Sequence, residues 1–177
     1  MRLLIIAGFS LVALTGLAFH APKSVVAQEG GEKAEYVGSD SCKKCHFKQH
    51  RYWKKTGLAK SLDTLKPTED AELAAKMKEK GLDPTKDYTT DASCLACHST
   101  GFGKPGGFPA TGATDAQHET LGRVGCESCH GPGSLYVKHK TDAMAADKDA
   151  KFTFDGLSKF GLVAPNKDNC VSCHNDK

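Results

Sequence analysis

The residues with the clearest chemistry in this chain of 177 residues are its cysteines, because all eight occur in pairs of one pattern. Each pair reads Cys-x-x-Cys and is followed directly by a histidine. This pattern is the attachment site of c-type haem. Its spacing lets two thiols reach the vinyl groups of one porphyrin while the adjacent imidazole points at the iron. The residues are Cys42, Cys45 and His46; Cys94, Cys97 and His98; Cys126, Cys129 and His130; and Cys170, Cys173 and His174.

Three other uses of paired cysteines fit the pattern less well. Exported chains use cysteines as disulfide frameworks, zinc sites use similar pairs, and thioredoxin-like proteins use Cys-x-x-Cys for redox exchange. None of these requires a histidine after the second cysteine in all four pairs. The sequence therefore predicts four covalently bound haem c groups, with His46, His98, His130 and His174 as proximal iron ligands.

The histidine count limits the distal ligands. Of the eight histidines, His20 lies in the N-terminal leader and four follow the cysteine pairs, which leaves His50, His118 and His139. Four irons with two imidazoles each would need one more. At least one iron is therefore expected to be five-coordinate, to use another group such as Met77 or Met144, or to borrow a ligand from a partner. His50 lies on the same helix face as His46, so it serves a different haem or a propionate.

The N-terminus has the pattern of a secretory signal peptide. A basic start is followed by an uncharged apolar run and by small residues at 25–27, so cleavage is predicted after Ala27. An uncleaved membrane anchor is the alternative, although the run of 17 residues is short against the roughly 20 that span a bilayer. We expect a signal peptide over 1–27, a polar linker over 28–40, a tetrahaem domain over 41–177, and a periplasmic location.

Composition and local patterns predict a mainly α-helical protein of short helices and long loops packed around the haems. Hydrophobic residues make up 39% of the chain, so the haems are expected to fill much of the core, and the net charge of +3 argues against a nucleic-acid binder. No strand pattern is present. We expect helices over 41–65, over 67–80 with Thr68 as cap and Gly81 as stop, and over 134–139. A turn at 83–85, a loop over 101–115 and irregular structure over 151–169 complete the prediction.

One expected helix face is strongly basic. On a helical wheel over 41–58, the haem-motif residues fall on one side with His50 and Trp53, and the cations fall on the other. No acidic residue occurs between Lys43 and Leu62. This pattern predicts either a solvated helix surface or a steering face for an acidic redox partner. The cations are Lys43, Lys44, Lys48, Arg51, Lys54 and Lys55.

Several segments outside the cysteine pairs resemble one family. The segments are Cys42–His46 with Gln49, Trp53 and Thr56; 65–67; 82–89; 101–107; and 124–133, which reads Val-Gly-Cys-Glu-Ser-Cys-His-Gly-Pro-Gly. The chain closely resembles the tetrahaem cytochrome c-554 family of nitrifying bacteria. That resemblance implies a mainly helical fold with haems in stacked and perpendicular pairs. It also implies three haems with two histidine ligands each and a high-spin second haem.

The chain departs from the family pattern at two distal ligands. Leu58 stands where the family has a histidine after the tryptophan, and residues 165–167 lack the histidine that precedes the fourth motif. His139 falls near the family's distal ligand for the first haem, whereas His50 and His118 have no evident counterpart. The resemblance therefore leaves the distal ligands of the third and fourth haems open.

The expected function is electron transfer without a substrate. The resemblance implies a relay from a hydroxylamine-oxidoreductase-like donor to a membrane cytochrome. One alternative is small-ligand chemistry, such as nitric oxide binding or reduction, at a five-coordinate haem. Another is a subunit of a haem filament or larger complex, in which a neighbour supplies the missing ligand.

Overall fold

The computed structural model describes residues 32–175, and this part of the chain is helical without β-strands. The predicted signal peptide lies outside the described residues. Nine α-helices follow one another in residues 32–175, with two short 3-10 helices between α2 and α3 at Gly57–Lys60 and Asp63–Leu65. The α-helices are α1 Asp40–Lys43, α2 Phe47–Trp53, α3 Ala71–Glu79, α4 Ala92–His98, α5 Asp115–Leu121, α6 Cys126–His130, α7 Ser134–Ala146, α8 Phe154–Ser158 and α9 Lys167–Val171.

The expected mainly α fold of short helices and loops is confirmed, but the single helix predicted over 41–65 is wrong. The chain leaves helical geometry at His46, with φ −118° and ψ 43°, and again at Thr56, with ψ 162°. The first break separates Cys42 of α1 and Cys45 of the following turn from α2. The segment therefore consists of α1, α2 and two single-turn 3-10 helices. The chain changes direction between these elements on its way from the first motif to the hydrophobic core.

Other helix boundaries also differ from the prediction. Helix α3 begins at Ala71, and its cap is Asp70, whose carboxylate accepts a hydrogen bond from the Leu73 amide, rather than Thr68. Gly81 follows the helix with φ +74°, as expected for a stop. Helix α7 runs to Ala146 rather than to 139, because no helix-breaking residue occurs between Ser134 and Ala146.

Three helices lie where no helix was predicted. Helix α5 was not predicted, although Thr114 and Gln117 form a capping box at its start. Helices α8 and α9 interrupt the segment expected to be irregular. The turn at 83–85 and the loop from 101 to the start of α5 are confirmed.

A small hydrophobic core surrounds α4 and holds the second motif in place. Leu95 of α4 is 2% exposed, and Phe108 from the glycine-rich loop is 1% exposed. Met77, named above as a possible iron ligand, is buried in the same cluster, where it packs as a core side chain. The cluster consists of Leu62, Leu65, Met77, Tyr88, Leu95, Phe108 and Leu121. The rest of the described chain supplies few buried apolar side chains, in agreement with its composition.

Candidate haem-attachment site

The ring of His98 is held by the backbone of the segment before α3. Its Nδ1 lies 2.7 Å from the carbonyl oxygen of Ser61 and 3.3 Å from the Thr64 hydroxyl. A histidine that donates its Nδ1 proton to a carbonyl keeps Nε2 available as a metal ligand and fixes the plane of the ring. The second motif therefore has the geometry expected of a preorganised proximal ligand.

His130 of the third motif has a similar arrangement. Its Nδ1 lies 3.2 Å from the carbonyl oxygen of Val163, and the Val163 amide donates to the carbonyl of His130 at 2.9 Å. Gly131 follows with φ +79°, and a Cβ there would lie 2.9 Å from the Gly161 carbonyl. The glycine allows the chain to turn away while the segment at 161–163 approaches the histidine.

His46 and His174 belong to more open sites. Both residues are exposed, as is His130, but their motifs also contain the exposed Cys45, Cys170 and Cys173, whereas all four cysteines of the second and third motifs are half-buried. Partial burial, with the charges of Lys140 and His130 nearby, lowers the pKa of His46 below its ordinary value. The lowered pKa favours the neutral imidazole, which is the form that binds a metal.

The first and third motifs meet in space. The thiols of Cys42 and Cys126 lie within hydrogen-bond range, which lowers the pKa of Cys126 to about 6 and raises that of Cys42. A cavity of about 370 Å³ lies between the two motifs, with Tyr136 and Leu162 among its lining residues. Cys42, His46, Cys126 and His130 all face it. The opening between the motifs is thus lined by cysteine and histidine side chains of both motifs.

The second and fourth motifs meet at a separate cavity. Its volume is about 320 Å³, and its lining includes Cys97 of the second motif and Cys173 of the fourth. Ser128 of the third motif lies on the same wall. The chain therefore pairs the motifs as first with third and second with fourth, and the third motif touches both pairs.

A buried carboxylate that the sequence analysis did not single out holds the third motif to the N-terminal segment. Glu127 is 1% exposed, and its oxygens accept hydrogen bonds from the amides of Val37, Gly38 and Gly133 at 2.7–3.2 Å. Burial raises the pKa of Glu127, and the three amides act in the opposite direction. Part of the predicted linker over 28–40 is thus packed on the body of the protein.

Ser61 links the second motif to the chain that enters the third. Its hydroxyl donates to the carbonyl of His98 and accepts from the amide of Val124, both at 2.9 Å. The backbone carbonyl of Ser61 accepts the hydrogen bond from Nδ1 of the His98 ring. The Val124 carbonyl accepts a further hydrogen bond from the indole of Trp53 at 3.0 Å. These contacts hold α4 and α6 at a fixed separation.

The three candidate distal histidines lie in different environments. His50 is 3% exposed. Its Nε2 lies 3.0 Å from Asp40 Oδ1, but this contact does not have the geometry of a hydrogen bond, and Nε2 has no other hydrogen-bond partner. This position is compatible with the expectation that His50 serves a haem other than that of His46, and its ligand role stays a prediction.

His118 and His139 lie away from the cavities described above. His118 packs edge-on against Phe108, with ring centroids 5.2 Å apart, and lines clefts of about 450 and 330 Å³. His139 is exposed on α7 and stacks on Phe160 at 4.0 Å. Their ligand roles also stay predictions. Met77 is buried in the core, and Met144 is 38% exposed.

The residues present fit covalent haem. In the described part of the chain the cysteines are thiols rather than disulfides. No group of three or more metal-binding side chains occurs in residues 32–175 that could hold a bare ion. The thiols lie beside cavities whose walls are partly apolar, and two proximal rings keep Nε2 available. Fold and site together define a c-type cytochrome.

Comparison with known proteins agrees with this class. The cytochrome c554 and c-prime family matches residues 41–131. The chain belongs to this family, which confirms the resemblance inferred from the sequence and implies covalently bound haem c.

Two comparisons involve cytochrome c-554 of Nitrosomonas europaea. The chain is 38% identical to that protein over 143 residues, which cover 80% of this chain and 58% of the relative. The solved structure of its reduced state matches with a TM-score of 0.67 and 37% identity, covering 82% of this chain and 68% of the other. The chain thus spans a little over half the length of the curated relative. Among residues 32–175, no helix is long and apolar enough to cross a membrane.

Proposed function

We propose that the protein is a periplasmic tetrahaem c-type cytochrome that carries electrons between redox proteins. The meeting of the motifs supports this proposal above all. The first and third motifs share one cavity, and the second and fourth share another. When bound, haem supplies a one-electron redox centre, while the polypeptide sets its spacing and surroundings. Centres held this close together would exchange electrons with one another.

The proposed partners are a donor resembling hydroxylamine oxidoreductase and a membrane-bound cytochrome acceptor. At least one partner is expected to be acidic, because exposed cations surround the first motif. Membership of the cytochrome c554 and c-prime family supports the electron-carrier role.

Intact mass and redox titration test the proposal. The exported protein should begin at Gln28 and exceed the polypeptide mass by four haems, with no thiol left to alkylate. A spectroscopic titration should show reversible one-electron steps, and the reduced protein should pass electrons to a second redox protein. A mass with fewer haems, or haems that no protein can oxidise or reduce, would contradict the proposal.

The histidine count supports one open iron, which the family resemblance places at His98. Electron paramagnetic resonance of the oxidised protein should show one high-spin iron that becomes low-spin with cyanide or nitric oxide. A wholly low-spin protein that is inert to both would contradict this assignment. Disappearance of the high-spin signal on assembly, without added ligand, would instead favour a partner-supplied ligand in a filament or complex.

A Leu58→His variant tests where the vacancy lies. Leu58 stands where the family has a distal histidine, which the resemblance assigns to a haem other than the second, and its carbonyl accepts from the Val124 amide just before the third motif. The high-spin signal should persist in the variant if the open iron is that of His98. Its loss would assign the vacancy to the third haem.

A further inference from the structure

The surface of α1, α2 and the following turn combines uncompensated cations with exposed aromatic rings. We call this surface the basic–aromatic face. The break at His46 divides the predicted helix, yet all six cations remain exposed while His50 is buried and Trp53 is half-buried. The face comprises Lys43, Lys44, Lys48, Arg51, Lys54, Lys55, Phe47 and Tyr52.

Two aromatic side chains lie at the centre of this face. Phe47 is 55% and Tyr52 is 65% exposed, and the Arg51 guanidinium lies 6.0 and 5.9 Å from the two ring centroids. Single exposed apolar residues are common on protein surfaces. Tyrosine and arginine grouped together are, in contrast, the residue types most enriched at binding hot spots. An apolar centre with a charged rim is also the usual anatomy of a protein interface.

No cation of the face takes part in an ion pair found in residues 32–175, and the one carboxylate on α1, Asp40, lies 3.0 Å from the buried His50. Between residues 43 and 62 the sequence has no aspartate or glutamate. The lysine ion pairs found in residues 32–175 use Lys66, Lys76 and Lys138, which belong to other surfaces. A concentration of unpaired cations raises the local potential and steers acidic molecules toward the surface.

The face adjoins the first motif. Lys44 lines an apolar cavity together with Cys42, Cys45 and His46, and Gln49 of α2 lines the larger cavity shared with the third motif. A partner that docks on α1 and α2 would therefore contact the chain beside the first haem-binding site. We propose that the basic–aromatic face docks an acidic redox protein and that electrons pass through the first motif. This inference rests on the proposed electron-carrier function.

A protein partner fits this face better than a membrane surface. Helices that lie in a membrane interface need a continuous apolar face along their length. Helix α2 has only seven residues and turns His50 and Trp53 toward the protein interior. Two rings on a curved, cationic surface match a small acidic patch with an apolar centre.

Charge reversal tests the face. The triple variant Lys48→Glu, Arg51→Glu, Lys55→Glu is compared with a matched control, Lys78→Glu, Lys148→Glu, Lys151→Glu, whose lysines are all exposed on other surfaces. The probe is a reduced flavodoxin, an acidic electron-transfer protein, mixed with each oxidised cytochrome in a stopped-flow instrument. At 10 mM ionic strength, exchange by the face variant should be about tenfold slower than wild type. At about 0.5 M salt the rates should converge, and the control should follow wild type throughout.

Further measurements separate the possible outcomes. Tyr52→Ser should slow electron exchange at high salt. It should leave the dependence of the rate on salt concentration unchanged, because the ring carries no charge. Dithionite reduction and the haem spectra should be the same in all variants. Equal rates and salt slopes in the face variant and wild type would overturn the docking face while leaving the carrier function intact. If dithionite reduces the wild-type protein but no redox protein oxidises it, the carrier function itself would be overturned. Loss of binding to phosphatidylglycerol vesicles, with unchanged flavodoxin exchange, would assign the face to a membrane and overturn the protein-docking proposal.

Discussion

The third and fourth motifs have the same covalent pattern but are held in different ways. Around the third motif, hydrogen bonds join residues that are far apart in the chain: Ser39 accepts from the Cys126 amide, and Glu127 accepts from Val37 and Gly38. Around the fourth motif, the bonds that shape α9 join Asn166 with Asn169, and Ser172 with Asn169.

Burial follows the same division. Glu127 is almost fully buried and Cys126 and Cys129 are half-buried, whereas Cys170 and Cys173 are exposed; the histidines of both motifs are exposed. The polypeptide thus fixes the third motif through its own long-range contacts. The fourth motif has local structure, and we infer that its tertiary position depends on the haem it binds. We therefore expect the cofactor to act as a core element to different degrees at different motifs.

The largest difference in stability is expected between a variant that lacks the haem of the third motif and one that lacks the haem of the fourth. Cys126→Ala with Cys129→Ala eliminates the haem at the junction of both cavity pairs. We expect that variant to lose cooperative unfolding, because an unfilled cavity of this size is strongly destabilising. Cys170→Ala with Cys173→Ala should yield a three-haem protein with a cooperative transition and local loss of structure in α9. Intact mass and thermal unfolding by circular dichroism measure both. Equal stability of the two variants would contradict the comparison.

Glu127 offers the next largest effect. Glu127→Ala leaves the amides of Val37, Gly38 and Gly133 without their acceptor in a buried site. Each unsatisfied buried group costs about 1–3 kcal/mol, so the free energy of unfolding should fall by roughly 3 kcal/mol or more. Denaturant unfolding of the haem-loaded protein measures this change.

Glu119→Ala is the matched control for Glu127→Ala. Glu119 is exposed on α5, so its removal should change the free energy of unfolding by less than about 0.5 kcal/mol. If the two alanine variants are equally stable, the third motif does not depend on the buried carboxylate.

The same carboxylate predicts a pH dependence. Because burial raises its pKa, the folded chain binds the Glu127 proton more tightly than the unfolded chain does. The stabilisation by this proton is complete below the ordinary glutamate pKa and is lost as pH rises through the raised value. The stability of wild type minus that of Glu127→Gln should therefore decrease from about pH 4 to pH 7. Denaturant unfolding at several pH values measures it; an increase over this range would contradict the direction.

The sequence revealed the parts of the site that depend on local chemistry. The cysteine pairs follow from the spacing that a porphyrin requires, and the stop at Gly81 follows from backbone freedom. The helical class also followed, since no strand pattern was present. Thr114 and Gln117 were a readable capping box, and α5 could have been predicted from them.

Long-range contacts could not be predicted in this way. The amide of Val37 and the carboxylate of Glu127 are 90 residues apart in the chain, and no local pattern announces their contact. The support for the His98 ring comes from the backbone carbonyl of Ser61, which any residue type would provide. The break at His46 likewise has no helix-breaking glycine or proline to announce it. These features arise from tertiary packing, which overrides local helix preference.

The smallest effect is expected at the cap of α9. Asn166 accepts from the Asn169 amide, and the Asn169 side chain accepts from the Asn166 amide, so the two residues form a reciprocal capping box. Asn166→Ala removes half of it and should weaken the local helix by about 1 kcal/mol. Because α9 adds little to the rest of the fold, the global unfolding transition should shift by less than that amount. Hydrogen exchange read by mass spectrometry should instead show faster exchange confined to peptides covering 167–175, with α6 unchanged. Thr153→Ala, which removes the cap of the equally short α8, is the matched control and should leave exchange at 167–175 as in wild type. If Asn166→Ala lowers global stability as much as Glu127→Ala does, the fourth motif contributes to the fold as strongly as the third.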